Sequence, residues 1–544
     1  MQQGFLRFFS FFIFIVLPAI SLSQATDSTR QIRILTARSM RMKTLADGTA
    51  LQTLTGNAAV QQGNTLLMGD SIAFNPATGI AEVFGNVHIN DADSVHTYSQ
   101  YLRYIGAEQM AYLKRNVKLT DGKGTLYTNE LEYNLKSGIA KYKNGGRVVN
   151  GKTVLTSRDA VYYSDTKDVY FKKNVHLVDP KYDITADSLL YNTHFTTATF
   201  ISQTHIISEN GVIDTKSGTY NLNTGEALFY AQTEFRDSTH FASGRTVAID
   251  EKNGLVNIEG NGKLVDSTNR VIVLGDQIFL DRKKNSFLAT RKPVMVLYQK
   301  NDSTYVSADT LFSGLQMNKG NESVQSLSSQ KKPNPADTLV KIVVDTTINI
   351  ATTSTDSIRY FLAFHHVKIF NDSMQTVSDS LFYSTEDSVF RLFQKPIFWN
   401  GKTQVTGDTM YLYTANKKPR RLYVFNNSLV INNPVEGIYN QMGGRNLNAY
   451  FVNGEIDYIR VKGAPAESIF YPQDEDSAYI GMNKSSGDVI DVFFIKRELN
   501  KIKFVNNVDG TLFPMQQIPA NTKFLKGFDW QDARRPKNKL DIFL

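Results

Sequence analysis

A short phrase that recurs about every 29 residues constrains the fold of this chain more than any other feature. It is clearest between Gly85 and Leu119, where alternating apolar residues surround Asn86 and, one repeat later, Asn116. Equivalent residues follow in two series, at intervals of 29 to 32 residues. The recurring residues are Asn86, Asn116, Gly145, Asn174, Gln203, Gln232, Asn261 and Lys292, then His366, Lys395 and Asn427. A period of this length predicts a solenoid or another repeat array.

Each repeat carries the pattern of bent strands. Ala81, Val83, Val87 and Ile89 are apolar at alternate positions around Gly85, which is typical of a half-buried strand that turns a corner at a small or polar residue. A second mark is an Asp that precedes two apolar residues at alternate positions. It occurs at Asp70, Asp159, Asp187, Asp276, Asp379 and Asp408. We expect its carboxylate to accept hydrogen bonds from backbone N–H groups two residues on.

The repeat unit therefore reads as strand, turn, strand, corner, strand. We predict an all-β fold, an elongated repetitive β-jellyroll or β-solenoid built from repeats of about 29 residues. Each repeat of such an array contacts only its neighbours, so the length of 544 residues does not fix the number of domains.

The first 25 residues have the pattern of a secretory signal. Arg7 precedes the apolar run 8–20 and a stretch of small residues, and this run is short for a membrane span. We interpret 1–25 as a cleavable signal peptide and place the protein in the periplasm, with association with the outer membrane as a further option. An uncleaved N-terminal anchor is the alternative.

The regularity of the pattern divides the remaining sequence into four segments. We interpret 26–317 as the first run of repeats, 318–356 as a polar loop insertion, 357–470 as the continuation of the repeats and 471–544 as a C-terminal capping region. Asp309 opens a unit whose second half, from Phe361, follows the polar stretch. The loop is therefore predicted to leave and rejoin one rung of a single array. Two separate arrays are the alternative.

Composition excludes some classes of protein. The chain has no cysteine, so no disulfide framework stabilises it and its core must do so. The net charge of +8 suits an anionic partner, although it is also ordinary for a chain of this size. No metal-binding helix motif, phosphate loop or nucleophile elbow occurs, and the acidic clusters lack the spacing of a calcium loop. We predict no catalytic residue, no metal and no cofactor, and a protein that is not an enzyme.

The recurring phrases resemble those of the OstA-like family. Gly85-Asn86-Val87 and Lys173-Asn174-Val175 match its edge phrase, and Ala186 to Tyr191, ADSLLY, matches its next strand. The family includes LptA-type periplasmic proteins of lipopolysaccharide transport. The resemblance implies a twisted β-jellyroll of two facing sheets whose apolar interior holds the acyl chains of lipid A.

The resemblance implies a lipopolysaccharide carrier or bridge in outer-membrane assembly, joined end to end by strand addition to other transport proteins at the inner and outer membranes. The basic run 534–537 is too short to indicate nucleic-acid binding, so we predict no nucleic-acid partner. The groove candidates are the inward residues Val83, Val87, Ile89, Leu113, Val117, Leu119, Phe171, Val175 and Leu177. Ordinary core packing is the alternative for each of them. Two other functions stay open, a structural or adhesive β-solenoid that binds surface glycan or protein, and an exported glycan-degrading enzyme with grouped carboxylates.

Overall fold

The fold is taken from a computed structural model that describes residues 32–46, 48–298, 303–316, 358–415, 418–495 and 498–543. The predicted signal peptide, 1–25, and the predicted loop, 318–356, lie outside the described residues. Within the described ranges, no helix is both long and apolar enough to cross a membrane. Contacts divide the chain between Lys173 and Asn174 into two compact units, which are described separately below.

The predicted all-β class is confirmed, because antiparallel strands make up most of the described structure and the only helical elements there are short 3-10 turns. The strands up to and including β13 are β1 Ile32–Thr36, β2 Ser39–Thr44, β3 Ala50–Gln62, β4 Thr65–Asn75, β5 Ile80–Asp91, β6 Val95–Ile105, β7 Met110–Thr120, β8 Gly124–Asn134, β9 Ile139–Tyr142, β10 Gly146–Asn150, β11 Thr153–Ser157, β12 Asp159–Tyr163 and β13 Asp168–Val178. The division between the two units falls within β13.

The strands that follow are β14 Tyr182–Asn192, β15 Thr197–Phe200, β16 Thr204–Ser208, β17 Gly211–Thr215, β18 Ser217–Asn221, β19 Glu226–Tyr230, β20 Thr233–Arg236, β21 His240–Gly244, β22 Thr246–Asp250, β23 Leu255–Asp266, β24 Val271–Asp281, β25 Ser286–Thr290, β26 Val294–Leu297, β27 Thr304–Ser307, β28 Thr310–Gln316, β29 Ile358–Phe370, β30 Gln375–Ser384, β31 Val389–Phe393, β32 Ile397–Asn400, β33 Thr403–Thr406, β34 Thr409–Ala415, β35 Lys418–Phe425, β36 Ser428–Asn432, β37 Asn440–Gly444, β38 Asn446–Val452, β39 Glu455–Phe470, β40 Gly481–Ile495, β41 Glu498–Val505 and β42 Asp509–Pro514. Short 3-10 turns occupy Met515–Gln517, Ala520–Thr522, Asp532–Arg534 and Lys539–Ile542.

In the first unit, each long strand contributes one half to each of two ladders of hydrogen bonds. The first half of β5 pairs with the second halves of β4 and β6, and its second half pairs with their first halves. We call the ladder that contains the first half of β5 sheet A and the other sheet B. The apolar side chains between them are buried, as Leu102 and Val87 are, and form the interior.

The corners lie at the residues that recur in the sequence. Gly85 and Asn86 have φ of 67° and 42°, and the strand register shifts there. The same left-handed conformation occurs at Asn116. Of the eleven recurring residues, all except Gln203 have positive φ. Because Gly and Asn tolerate this conformation best, their frequency at the corners has a direct steric cause. The predicted corners are confirmed.

The predicted role of the recurring Asp is wrong in its hydrogen-bond partner. The carboxylate of Asp70 accepts from the Asn86 Nδ2 at 3.1 Å, and that of Asp408 accepts from the Asn427 Nδ2 at 2.9 Å. These partners are corner residues of the neighbouring strand, not backbone groups two residues on. Since the corner backbone turns away from the ladder, an Asp at the start of the adjacent half-strand can reach it.

The second unit repeats the two-sheet arrangement, and we give its corresponding ladders the same names, sheet A and sheet B. The second half of β24 pairs with β25 in sheet A, while its first half pairs with β26 in sheet B. β28 pairs with β29, from Gln316 beside Ile358 to Thr310 beside Phe364. The strands on either side of the predicted loop are therefore neighbours in sheet A.

The last described residues, 515–543, run back along sheet B of the second unit. The buried side chain of Gln441 donates to the Lys523 carbonyl and accepts from the Leu525 N–H, and Arg535 donates to Gln375. Ile542 packs with Val294 and Val296. That residues 471–544 cap the end of the array stays a prediction.

Candidate functional site

The space between the sheets is the natural site to examine, because the inward residues of a two-sheet fold either pack together or enclose a ligand. All nine groove candidates lie in this interior. They occupy β5, β7 and β13, and each is at most 3% exposed. The interior around them in the first unit is thus closely filled, and their contact with a lipid stays a prediction.

The first unit also has polar bridges between its two sheets. The Tyr104 hydroxyl, on sheet A, donates to the Gln62 Oε1 at 2.7 Å, and the Tyr133 hydroxyl donates to the Asp91 Oδ2 at 3.0 Å. Gln62 and Asp91 end strand halves of sheet B. Since corners join the sheets along one side, these bonds join them along the other. We call them the tyrosine bridges.

A third tyrosine bridge follows one repeat later. The Tyr162 hydroxyl donates to the Asp121 Oδ2 at 2.8 Å. Burial opposes ionisation of Asp121, but hydrogen bonds from the Gly124 N–H and the Tyr162 hydroxyl outweigh it and lower the pKa of Asp121. Burial and the Asp121 carboxylate raise the pKa of Tyr162. The bridge therefore joins a neutral donor to an ionised acceptor, which is a strong type of hydrogen bond.

The bridging tyrosines belong to a periodic position in the sequence. Tyr104, Tyr133, Tyr162, Tyr191 and Tyr220 follow each other at intervals of 29 residues. Each is the last inward residue of its half-strand in sheet A. The strand register gives the next equivalents as Ile249, Leu280 and Ser313, none of which has a phenol.

A cavity of about 590 Å³ lies in the second unit, beside the three positions that lack a tyrosine. This volume is within the range of ~300–1,000 Å³ that is usual for ligand sites. Ile249, Leu280 and Ser313 all line it. Its other apolar lining residues are Ile213, Phe235, Ala242, Val247, Val256, Leu264, Val271, Val273, Phe287, Met295, Leu297, Phe361, Ile369, Met374, Tyr383, Phe390 and Leu412. We call this cavity the chamber.

Several inward residues of the chamber are less buried than their counterparts in the first unit. Val256, Leu264 and Leu280 are only partly buried, whereas Leu113 and Val117 are 1% exposed. Leaving inward apolar side chains partly uncovered costs about 25 cal/mol per Å² of apolar surface. An apolar ligand in the chamber would recover part of that free energy.

Polar groups surround the chamber. Arg359 donates to the Asn285 Oδ1 at 3.1 Å and to the Ser313 Oγ at 3.2 Å, and burial lowers its pKa. At another point, Glu251 accepts from the Tyr182 hydroxyl at 2.6 Å and from the Tyr220 hydroxyl at 2.8 Å. The lining is therefore apolar inside and polar at the rim, which suits an amphiphilic ligand.

Two polar turn residues of sheet B stand opposite the positions that lack tyrosine. Ser208 precedes Ile249 by 41 residues, as Asp121 precedes Tyr162, and Asp237 precedes Leu280 by 43 residues. Both Ser208 and Asp237 line the chamber. The Asp237 carboxylate instead accepts from the backbone N–H groups of Thr239 and His240 in its own turn.

Other chemistry is sparse among the described residues. No group of three or more His, Cys, Asp or Glu there could hold a metal ion. His176 and His205 are exposed and paired with the carboxylates of Asp183 and Asp214. These pairs account for the two histidines without a catalytic role.

The sequence interpretation missed the chamber residues. It selected inward positions in regular repeats, where packing is closest. The available signal was a change at one periodic position, from tyrosine at 104 to 220 to Ile249, Leu280 and Ser313.

Among solved structures, LptH, the LptA homologous periplasmic component of the lipopolysaccharide transport device from Pseudomonas aeruginosa, is 20% identical to this chain. The match covers 21% of this chain and 83% of LptH, with a TM-score of 0.19. The extracellular domain of a hybrid two-component system protein from B. thetaiotaomicron is 10% identical, over 90% of this chain and 99% of that domain, with a TM-score of 0.08. At such low TM-scores neither superposition supports an argument about this chain.

No curated protein matches the chain. A family model described as OstA-like protein matches residues 29–187, which include the first tyrosine bridges and the phrases that resemble this family in the sequence. The predicted resemblance is therefore confirmed for that part of the chain, and residues 29–187 are OstA-like.

Proposed function

We propose that this protein is a periplasmic carrier of lipopolysaccharide that holds acyl chains of lipid A between its two β-sheets. The observation that supports this proposal most is the chamber, an apolar cavity of about 590 Å³ with a polar rim. Each methylene that moves from water into such a site contributes about 0.8 kcal/mol, so acyl chains bind there without a strong polar contact. The OstA-like match over residues 29–187 supports the same class of function.

The proposal is non-enzymatic. Binding by burial needs no reacting group, and the rim carboxylates that the structure describes have other partners. Glu251 accepts from two tyrosine hydroxyls, and Asp237 accepts from its own turn. A periplasmic location and end-to-end strand addition to other transport proteins belong to the proposal as well.

Contact between lipid and the nine groove candidates stays a separate prediction. They have the same inward orientation as the residues of the chamber, and a lipid that passed along the interior would have to displace their contacts. Because they are at most 3% exposed, such passage requires the strands that carry them, β5, β7 and β13, to move apart from the facing sheet. The alternative, a structural or adhesive β-solenoid, needs no cavity between the sheets.

The test is purification of the full chain from the envelope of cells that make lipopolysaccharide, in buffer without detergent, followed by mass spectrometry of the extracted lipid. We expect lipopolysaccharide in amounts comparable to the protein. A double variant that fills the chamber, Val256→Trp with Leu264→Trp, should lose it, whereas the outward variant Phe279→Trp should keep it. Lipid-free protein that binds purified glycan would contradict the proposal and support the adhesive function.

A further inference from the structure

We propose that the ligand enters the second unit sideways, through the gap that Ile249, Leu280 and Ser313 leave between the sheets, and that the tyrosine bridges exclude it from the interior of the first unit. This inference rests on the proposed function, since it concerns the route and location of the same acyl chains. On this proposal, one residue in each repeat determines whether a ligand can enter. That residue is the last inward residue of the half-strand in sheet A.

The first step is the geometry of the bridges. In the first unit, three consecutive repeats place a phenol from sheet A within 2.7–3.0 Å of an oxygen on sheet B. The tyrosines are 1–6% exposed, so little water reaches their rings. A lipid chain entering there would have to break a bond to Gln62, Asp91 or Asp121 and leave a buried oxygen without its partner, which is unfavourable.

In the second unit, apolar side chains stand at two of the positions that carry tyrosine in the first unit. Ile249 and Leu280 end in apolar carbon, and neither can donate a hydrogen bond to Ser208 or Asp237. The chamber extends to all four of these residues, so it reaches the margins of both sheets there. An acyl chain crossing this margin passes the apolar ends of Ile249 and Leu280 on sheet A and displaces no phenol bound to Ser208 or Asp237.

Hydrogen-bonded polar side chains border the gap. Tyr182, Tyr220 and Glu251 form a hydrogen-bonded group, with the two tyrosine rings 4.8 Å apart. Arg359 bonds to Ser313 and Asn285 at another part of the rim. The gap is thus bounded by polar side chains that are already bonded, and they can meet the sugar and phosphate groups of an amphiphile while its chains lie inside.

The test installs the missing phenols. In the double variant Ile249→Tyr with Leu280→Tyr, hydroxyls face Ser208 and Asp237, and we expect at least a tenfold weaker affinity for a fluorescent long-chain fatty acid. The control Phe279→Tyr adds a phenol on the same strand at a residue that is 39% exposed, and it should bind like the unchanged protein. Equal affinity of the folded double variant and the unchanged protein would overturn the inference.

A second measurement needs no variant. Hydrogen–deuterium exchange of the unchanged chain, with and without lipopolysaccharide, should show slower exchange in β22 to β25 and no change in β5 to β8. Slower exchange in β5 to β8 would overturn the inference but leave the proposed function intact. If the unchanged protein binds neither the fatty acid nor lipopolysaccharide, the proposed function fails, and the inference fails with it.

Discussion

The interior of the first unit and the chamber of the second are built on one repeat and differ in content. Around Leu113, inward side chains are at most a few per cent exposed, and tyrosine bridges join the sheets. In the chamber, Val256, Leu264 and Leu280 are only partly buried, and the lining surrounds about 590 Å³ of space. The ladder of strands therefore sets the spacing of the sheets, and a few inward residues determine whether the space between them is filled.

The largest expected contrast is the cost of removing an inward leucine. Leu113→Ala should lower the free energy of unfolding by about 2–5 kcal/mol, because a fully packed site loses contacts and gains a cavity. Leu264→Ala should cost about half as much or less, because that side chain already faces open space. Chemical denaturation of both variants measures the difference. Equal losses would show that the chamber is as closely packed as the first unit.

The tyrosine bridges should contribute a smaller amount. Tyr162→Phe removes the hydroxyl that bonds to the Asp121 carboxylate, and we expect a loss of about 1.5–3 kcal/mol because the acceptor is charged and partly buried. Tyr163→Phe is the matched control, since that neighbouring side chain is 39% exposed. Native-state hydrogen exchange of β8 to β12 measures both. A loss as large in the control would remove the bridge as the cause.

Alkaline pH should weaken the bridged interior. Burial and the Asp91 charge raise the pKa of Tyr104 to about 12, and burial raises that of Tyr133 further. In the unfolded chain these phenols titrate near pH 10. Their contribution is therefore fully present below pH ~10 and is lost as the pH rises toward 12, because only the unfolded state releases the protons. Unfolding followed from pH 8 to 12 should show this loss, and Tyr104→Phe should reduce it. A flat profile would contradict it.

Acid should have the smallest effect. The pKa of Asp121 is lowered in the folded state, so its contribution is present above the unfolded value of about 3.9 and is lost as the pH falls through the folded value. Denaturation at pH 5 and pH 3 measures the change, and Asp121→Asn should be less sensitive. Greater acid sensitivity of the variant would contradict the assignment of the bridge.

Much of the fold could be predicted from sequence because its determinants are local and repeated. A corner needs a left-handed residue, so Asn86 and its equivalents mark it, and alternate apolar residues mark the inward face. The partner of Asp70 could not be predicted in this way. Asn86 lies sixteen residues away, and only the strand register brings the two together.

The chamber was harder to predict, since it depends on what is absent. Ile249 and Leu280 fit the apolar alternation as well as Val87 does, and nothing in the alternation tells a packed interior from an empty one. The difference arises from side-chain volume summed over many strands and from the bridge partners of Tyr104 to Tyr162. Neither quantity is visible in a single repeat.

The most direct measurement of the central claim is a crystal structure of the full chain with a lipid A analogue whose acyl chains carry bromine. We expect anomalous bromine peaks between the sheets of the second unit, beside Val256, Leu264 and Leu280. Peaks among Val87, Leu113 and Val117, or only on the outer faces of the sheets, would contradict it.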